Sequence, residues 1–332
     1  MKTFIWVSDD PAGCGGIFFG CLTIKLFKGN FVSVILMRTM KNAVLFFFFS
    51  FLLVSCEKGI TFNLDKVPPK LVVEATIENS QFPVVTLSKS FNFFSTINRQ
   101  DVSNSFVHQA DVWISNGTLT HKLKEDSVKV NNTTLYYYHV NPADPSTLFL
   151  GEEGKTYTLK IVTDGQEYTS ATTIPVLTKK VDSIWWVPAP QNPDTNKVVV
   201  KAKITDPPEY GNYVRYFTQV GQAPFYAPDN SSFDDQVING VTFTIDIDKG
   251  NDRNADVPEK DKGFFNRGDT VTLKFCNIDK ATYDFWRTME FNYSSTGNPF
   301  SSPNKVIGNI SNGALGYFGG YAAQYRSLII PK

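Results

Sequence analysis

The chain has 332 residues, 32 Lys+Arg against 32 Asp+Glu, 42% hydrophobic and 14% aromatic residues, and only 4 cysteines. A balanced charge gives no electrostatic footprint for nucleic acid. So few cysteines at this length exclude a disulfide-stapled scaffold.

Residues 1–39 show no sustained helix or strand periodicity. Residues 40–56 read MKNAVLFFFFSFLLVSC, an apolar run from Ala43 to Val54 broken only by Ser50. A spanning helix needs about 20 apolar residues, so the run is too short to cross a membrane. With Lys41 before it and small residues after it, it has the proportions of a secretory signal at 40–55. The ending Leu53-Val54-Ser55-Cys56 resembles a bacterial lipobox, which makes Cys56 the expected lipid-modified N-terminus. A signal normally begins at the initiator, so Met40 is the expected start and 1–39 an over-called extension.

Removing residues 1–55, with their five basic and two acidic residues, leaves 277 residues carrying 27 basic and 30 acidic side chains. Of the four cysteines, only Cys56 and Cys276 remain. With Cys56 lipidated, Cys276 has no partner; it ends the alternating run TVTLKFC and reads as a small buried hydrophobe.

A tether at 56–69 ends in two prolines, and from Lys70 the pattern is persistently β. LVVEATIE at 71–78 and VVTL at 84–87 are rich in β-branched residues. Asn116-Gly117, Asp164-Gly165 and Asn239-Gly240 each separate alternating segments, as type I′ hairpin turns do. The expected architecture is mainly β: two antiparallel, Ig-like sandwich regions in tandem, at 70–178 and 179–332. One short helix is expected near 280–293, with Asp279 as N-cap and Ile278, Ala281, Thr282, Phe285, Trp286, Met289 and Tyr293 at helical spacing. Residues 298–332 are glycine-rich and aromatic, without a helix period. There Gly313, Gly316, Gly319 and Gly320 predict tight turns or close backbone approach, with Tyr317, Phe318 and Tyr321 packed inward.

Three segments, LVVEATIENSQFPVVTLSKSFNFFS, RGDTVTLKFCNIDKATYDFWRTMEFN and NPFSSPNKVIGNISNGALGYFGGY, resemble the Bacteroidota lipoproteins grouped as domain of unknown function family 4249. The likeness runs in the same order over nearly all of the chain after the signal and includes the lipobox. It implies an outer-membrane lipoprotein, on its periplasmic or its surface side, commonly associated with a TonB-dependent transporter. It assigns no activity.

Chemistry is sparse. His108, His121 and His139 lie in strand-like segments without metal-ligand spacing. No nucleophile elbow, Cys/His pair or phosphate-cradling glycine loop is present. The long loop 248–266 is rich in side-chain oxygens, and calcium is the one ion it would suit. Starting an EF-hand register at Asp252 gives Asp252, Asn254 and Asp256, but Val257 takes the glycine position and Gly263 the bidentate glutamate. A solvated loop without metal is the expectation. Among the aromatics, Tyr137 must face away from Tyr136 and Tyr138, and Trp185-Trp186 puts one indole on each face of its strand. Trp185, Trp186, Tyr137, Asp252 and Asp256 are the candidate contact residues. A non-catalytic lipoprotein partnering a TonB-dependent transporter is expected, with no cofactor. A carboxylate-based carbohydrate-active hydrolase and a surface adhesin are the alternatives.

Overall fold

The computed structural model describes residues 68–91, 97–130, 133–295, 298, 301–302 and 304–332. The extension 1–39, the signal 40–55, Cys56 and the tether as far as residue 67 lie outside the described residues.

In chain order the elements are β1 (Leu71–Glu78), β2 (Val84–Lys89), α1 (Arg99–Ser105), β3 (Asp111–Ser115), β4 (Thr120–Lys122), β5 (Lys124–Val130) and β6 (Thr133–His139). Then come β7 (Thr156–Thr163), β8 (Gln166–Thr173), β9 (Lys180–Pro188), β10 (Lys197–Thr205), β11 (Tyr213–Val220), β12 (Ser232–Phe233) and β13 (Thr242–Ile247). The last are β14 (Phe265–Asn266), β15 (Thr270–Ile278), α2 (Lys280–Ser295) and β16 (Leu315–Ile329).

The fold is mainly β, as the strand patterns predict. Its division differs from a tandem pair of Ig-like sandwiches. One eight-stranded sheet, ordered β12-β11-β15-β16-β1-β2-β6-β5, draws on both halves of the chain. Two four-stranded sheets, β4-β3-β7-β8 and β9 with β13-β10-β14, complete the structure. Pairing therefore crosses residue 178, because β16 returns from the far end of the sequence to lie parallel to β1, from Val72↔Leu315 to Glu78↔Tyr321.

Alternation explains the layers. In β1, Leu71, Val73, Ala75 and Ile77 are buried against Val112, Ile114, Leu159 and Ile161 of the β3–β7 sheet. At the other end of the large sheet, Val214, Val271, Leu273 and Phe275 meet Val198, Val200, Ala202 and Ile204 of β10. Burying each such Val, Leu, Ile or Phe side chain contributes about 1.5–3 kcal/mol. A third cluster lies on the large sheet's opposite face, where α2 packs Phe285 among Cys276, Ile278, Tyr317 and Tyr321. Residues Tyr317–Ala323 are consequently buried without alternation, as befits a strand covered on both sides. Cys276 is fully buried and free, and burial pushes its thiol up to about 12.

The C-terminal glycines act by close approach. A Cβ on Gly320 would sit 2.5 Å from the Thr173 carbonyl oxygen, and one on Gly319 would strike Tyr317 and Thr282. Primary amides fasten the same strand by imitating peptide groups. Asn309 Oδ1 accepts from Phe318 N at 2.8 Å while its Nδ2 donates to Phe318 O at 2.8 Å. Asn79 Oδ1 accepts from Ala323 N at 2.7 Å. Gln324 accepts from Val181 N and donates to Lys179 O, both at 2.9 Å, which joins β16 to β9.

Asp279 caps α2, as expected: its Oδ1 accepts from Thr282 N at 2.9 Å. Its Oδ2 accepts from Thr172 Oγ1 at 2.7 Å and Thr173 N at 3.0 Å, so one carboxylate fixes both helix start and strand end. Two local expectations are corrected. A second helix, α1, forms because Asn98 and Asp101 make a reciprocal capping box, each side chain accepting from the other's backbone at 2.9 Å. Asp164-Gly165 does turn a hairpin, with both φ angles positive, but Asn239-Gly240 does not. There Asn239 donates to Pro208 O and Gly240 to Asp206, and β13 pairs with β10 instead of with 234–238.

Asp206 also forms a fully buried ion pair with Lys179, at 2.7 Å. Lys179→Met leaves an uncompensated buried carboxylate and should cost about 3–5 kcal/mol in urea denaturation. A double variant with Asp206→Leu should recover most of that; equal loss in the single and double variants would sink the pairing argument. Gly320→Ala should lower stability by about 1–3 kcal/mol through overpacking against Thr173, in one cooperative transition. Separate melting of the two halves would contradict a shared β16.

Candidate functional site

The outward face of the large sheet carries a cleft of about 370 Å³. Alternation in β1 that buries Val73 and Ile77 turns Glu74, Thr76 and Glu78 into one wall. Arg215 and Phe217 of β11, Lys274 of β15, and Tyr317 and Tyr321 of β16 continue it. Helix α2 supplies Trp286 and Tyr293, seven residues apart and so on one helix face. Residues 225–227 and the loop pair Asn251 and Arg253 close the rim.

Arg215 is the central cation, 4% exposed. Its guanidinium carbon lies 3.3 Å from the Trp286 ring centre and 4.6 Å from that of Phe217. Such desolvated cation–π contacts are worth about 2 kcal/mol. Arg215 Nε donates to Ser231 Oγ at 3.1 Å, and the Ser231 hydroxyl donates to Glu290. Glu290, 1% exposed, also accepts from Ser232 Oγ at 2.6 Å. Arg215 is thus balanced through a hydroxyl relay, with no ion pair to a carboxylate among the described residues.

A hydroxyl network lies beside it. Trp286 Nε1 donates to Tyr321 Oη at 3.0 Å, and the Tyr317 and Tyr321 hydroxyls lie 3.2 Å apart. Phe285 stacks on Tyr317 at 4.4 Å. Burial pushes both phenols up, so they act as neutral hydrogen-bonding groups.

The two carboxylates of β1 differ. Glu78 is held by an ion pair from Lys274 and by the Tyr325 hydroxyl, which donates at 2.5 Å. Burial, reinforced by that bond to Glu78, pushes the Tyr325 phenol up. Glu74 has no hydrogen bond or ion pair among the described residues. It is open to the cleft but ringed by protein; this partial burial raises its carboxyl above the usual range, and Arg215 pulls it only partly back.

The sequence-derived candidates fall mostly elsewhere. Trp185 and Trp186 lie on β9, half-buried; Trp186 packs on the second core beneath the Arg267 guanidinium at 4.9 Å. Neither lines the cleft. Tyr137 stacks on His139 at 5.5 Å, while Tyr138 is buried on the opposite face. Tyr137 lines a shallow groove that shares Glu74 with the cleft. Asp252 caps its own turn, accepting from Asn254 N at 2.9 Å, and Asp256 faces a separate hollow with Lys197 and Lys249. Their neighbours Asn251 and Arg253 are the loop residues that reach the cleft. Each histidine has its own partner: Glu125 for His108, Thr147 for His121 and Asp126 for His139. Among the described residues no group of three His, Cys, Asp or Glu is placed to hold a metal ion.

Arg215, Glu74, Glu78 and Lys274 are the charged side chains of the cleft that motif reasoning misses. Their signal is weak: charges at outward positions of strands whose other face is apolar. A covered strand shows the same pattern as an ordinary solvated one.

A family model described as Domain of unknown function (DUF4249) matches residues 57–327. No curated protein matches the chain.

The raised Glu74 carboxyl makes a pH prediction. Its folded value lies above its unfolded one, so the folded state binds more protons between the two, and stability falls as pH rises through that window. Glu74→Gln should therefore raise the urea midpoint at neutral pH and leave it unchanged below the ordinary carboxylate range. A neutral-pH midpoint that is unchanged or lowered would overturn this account.

Proposed function

The chain belongs to the family described as Domain of unknown function (DUF4249), and from that premise we propose a non-catalytic, lipid-anchored binding protein of the Bacteroidota outer membrane. In this reading Cys56 carries the lipid, and the folded region serves as the accessory partner of a TonB-dependent transporter. The observation that carries the binding reading is the cleft between β1, β11, β15, β16 and α2. Its volume falls in the range of small-molecule sites, and rigid aromatic walls surround a few oriented charges. One eight-stranded sheet with two four-stranded sheets forms the frame, which suits recognition by a fixed surface. The lipobox-like ending at Cys56 and the family membership support the envelope address and the transporter partner.

One observation favours the hydrolase reading: a carboxyl drawn toward its neutral form in a cleft is what a general acid needs. Such chemistry needs a second free carboxylate. The cleft's other one, Glu78, is occupied by Lys274 and Tyr325. Binding remains the better account.

Pull-down from detergent-solubilised outer membranes with the full chain should recover a TonB-dependent transporter. Recovery of none, together with turnover of a glycan or peptide by the purified protein, would replace this reading with the hydrolase. Cys56→Ala should lose the lipid and accumulate as precursor, read by mass spectrometry of the N-terminal peptide. Unchanged membrane retention of that variant would remove the anchor.

A further inference from the structure

Helix α2 presents Trp286 and Tyr293 on one face, and each has a guanidinium laid over its ring. Arg215 covers Trp286 at 3.3 Å, and Arg253, from the 248–266 loop, covers Tyr293 at 4.2 Å. Both arginines line the cleft, and neither forms an ion pair with a carboxylate among the described residues. Stacking occupies the flat faces of a guanidinium and leaves its in-plane N–H groups available, in a fork that matches a planar or tetrahedral oxyanion. Arg215 commits Nε to Ser231 and shares a side-chain bond with Tyr321. Arg253 is exposed at the rim.

We propose that the cleft binds a small ligand by an anionic oxygen group, a carboxylate or a phosphate, received between Arg215 and Arg253. The remaining charges leave room for it. Glu78 and Lys274 neutralise each other, and Glu290 sits beneath the floor behind Ser231. Glu74 is the one carboxylate lining the cleft without a partner among the described residues; burial raises its carboxyl and Arg215 pulls it partly back. An arriving anion therefore meets two oriented guanidinium groups and a single competing carboxylate. The apolar remainder of the ligand would lie against Phe217, Phe225 and Tyr226.

The inference rests on the reading of the cleft as a recognition site and names its ligand chemistry. Calorimetric titration of the full chain with glucuronate, inorganic phosphate and glucose tests it. Glucuronate or phosphate should bind and glucose should not; preference between the two anions tells a carboxylate ligand from a phosphate one. Arg253→Gln, a change on an exposed loop, should weaken anion binding about tenfold, the worth of one charge-assisted contact. Glu74→Gln, which removes the competing charge, should tighten it several-fold. Glucose binding as tightly as glucuronate, no binding of either anion in the millimolar range, or an unchanged anion affinity in Arg253→Gln would each overturn the proposal. Loss of anion binding with the transporter still recovered in pull-down would sink this inference alone.

Discussion

The parallel pairing of β1 with β16 is the constraint on which the remaining architecture rests. β16 has fifteen residues, and it spends them on two partners. Its first half, to Tyr321, lies beside β1, and its second half, from Tyr321, lies antiparallel to β15. The large sheet is continuous only through this strand. Asn79, Asn309 and Gln324 fasten it where the ladder does not reach, so that backbone groups left over at the stagger still find partners. Glycines at 319 and 320 let Thr282 of α2 and the end of β8 approach from its two faces.

The cleft inherits its geometry from that seam. Tyr317 and Tyr321 come from β16, Glu74 and Glu78 from β1, and Lys274 from β15, so its walls meet only where the strands meet. Arg215 sits among aromatic rings, where an isolated charge is costly, and the structure meets that cost indirectly. The Ser231 hydroxyl accepts from Arg215 and donates to Glu290, placing the countercharge one hydroxyl away. The guanidinium is thereby held in place without being capped by a carboxylate. The Lys274–Glu78 pair contrasts with it: that cation is spent within the fold.

Local features were readable before the structure, and non-local ones were not. The β-branched strand at 71–78, the Asp164-Gly165 turn and the Asp279 cap depend on neighbours a few residues apart, and each is found where expected. The glycine–aromatic block at 313–321 announced close approach, but nothing in its composition names β1 as the partner across some 240 residues of chain. Asn239-Gly240 misled because a turn dipeptide marks a bend, not which strand pairs next; Asp206 and Pro208 capture it. Trp185 and Trp186 stood out as a pair of large rings, yet lie on β9 away from the cleft, with Trp186 against its own core. The residues that build the site were hidden because each occupies an ordinary outward position, and only the sheet order brings them together.

Synthesis runs from β1 to β16, which gives the seam a temporal meaning. When β1 and β2 emerge, the β1 edge that will receive residues 315–321 has no partner, and it waits until some 240 further residues have been made. Pairing at such separation is slow, and an open strand edge in the interval invites association with other chains. The apolar core side of β1 would be shielded only provisionally during that wait. A ribosome-bound fragment ending before residue 315 thus holds an unfinished sheet, its β1 edge open until the last strand arrives.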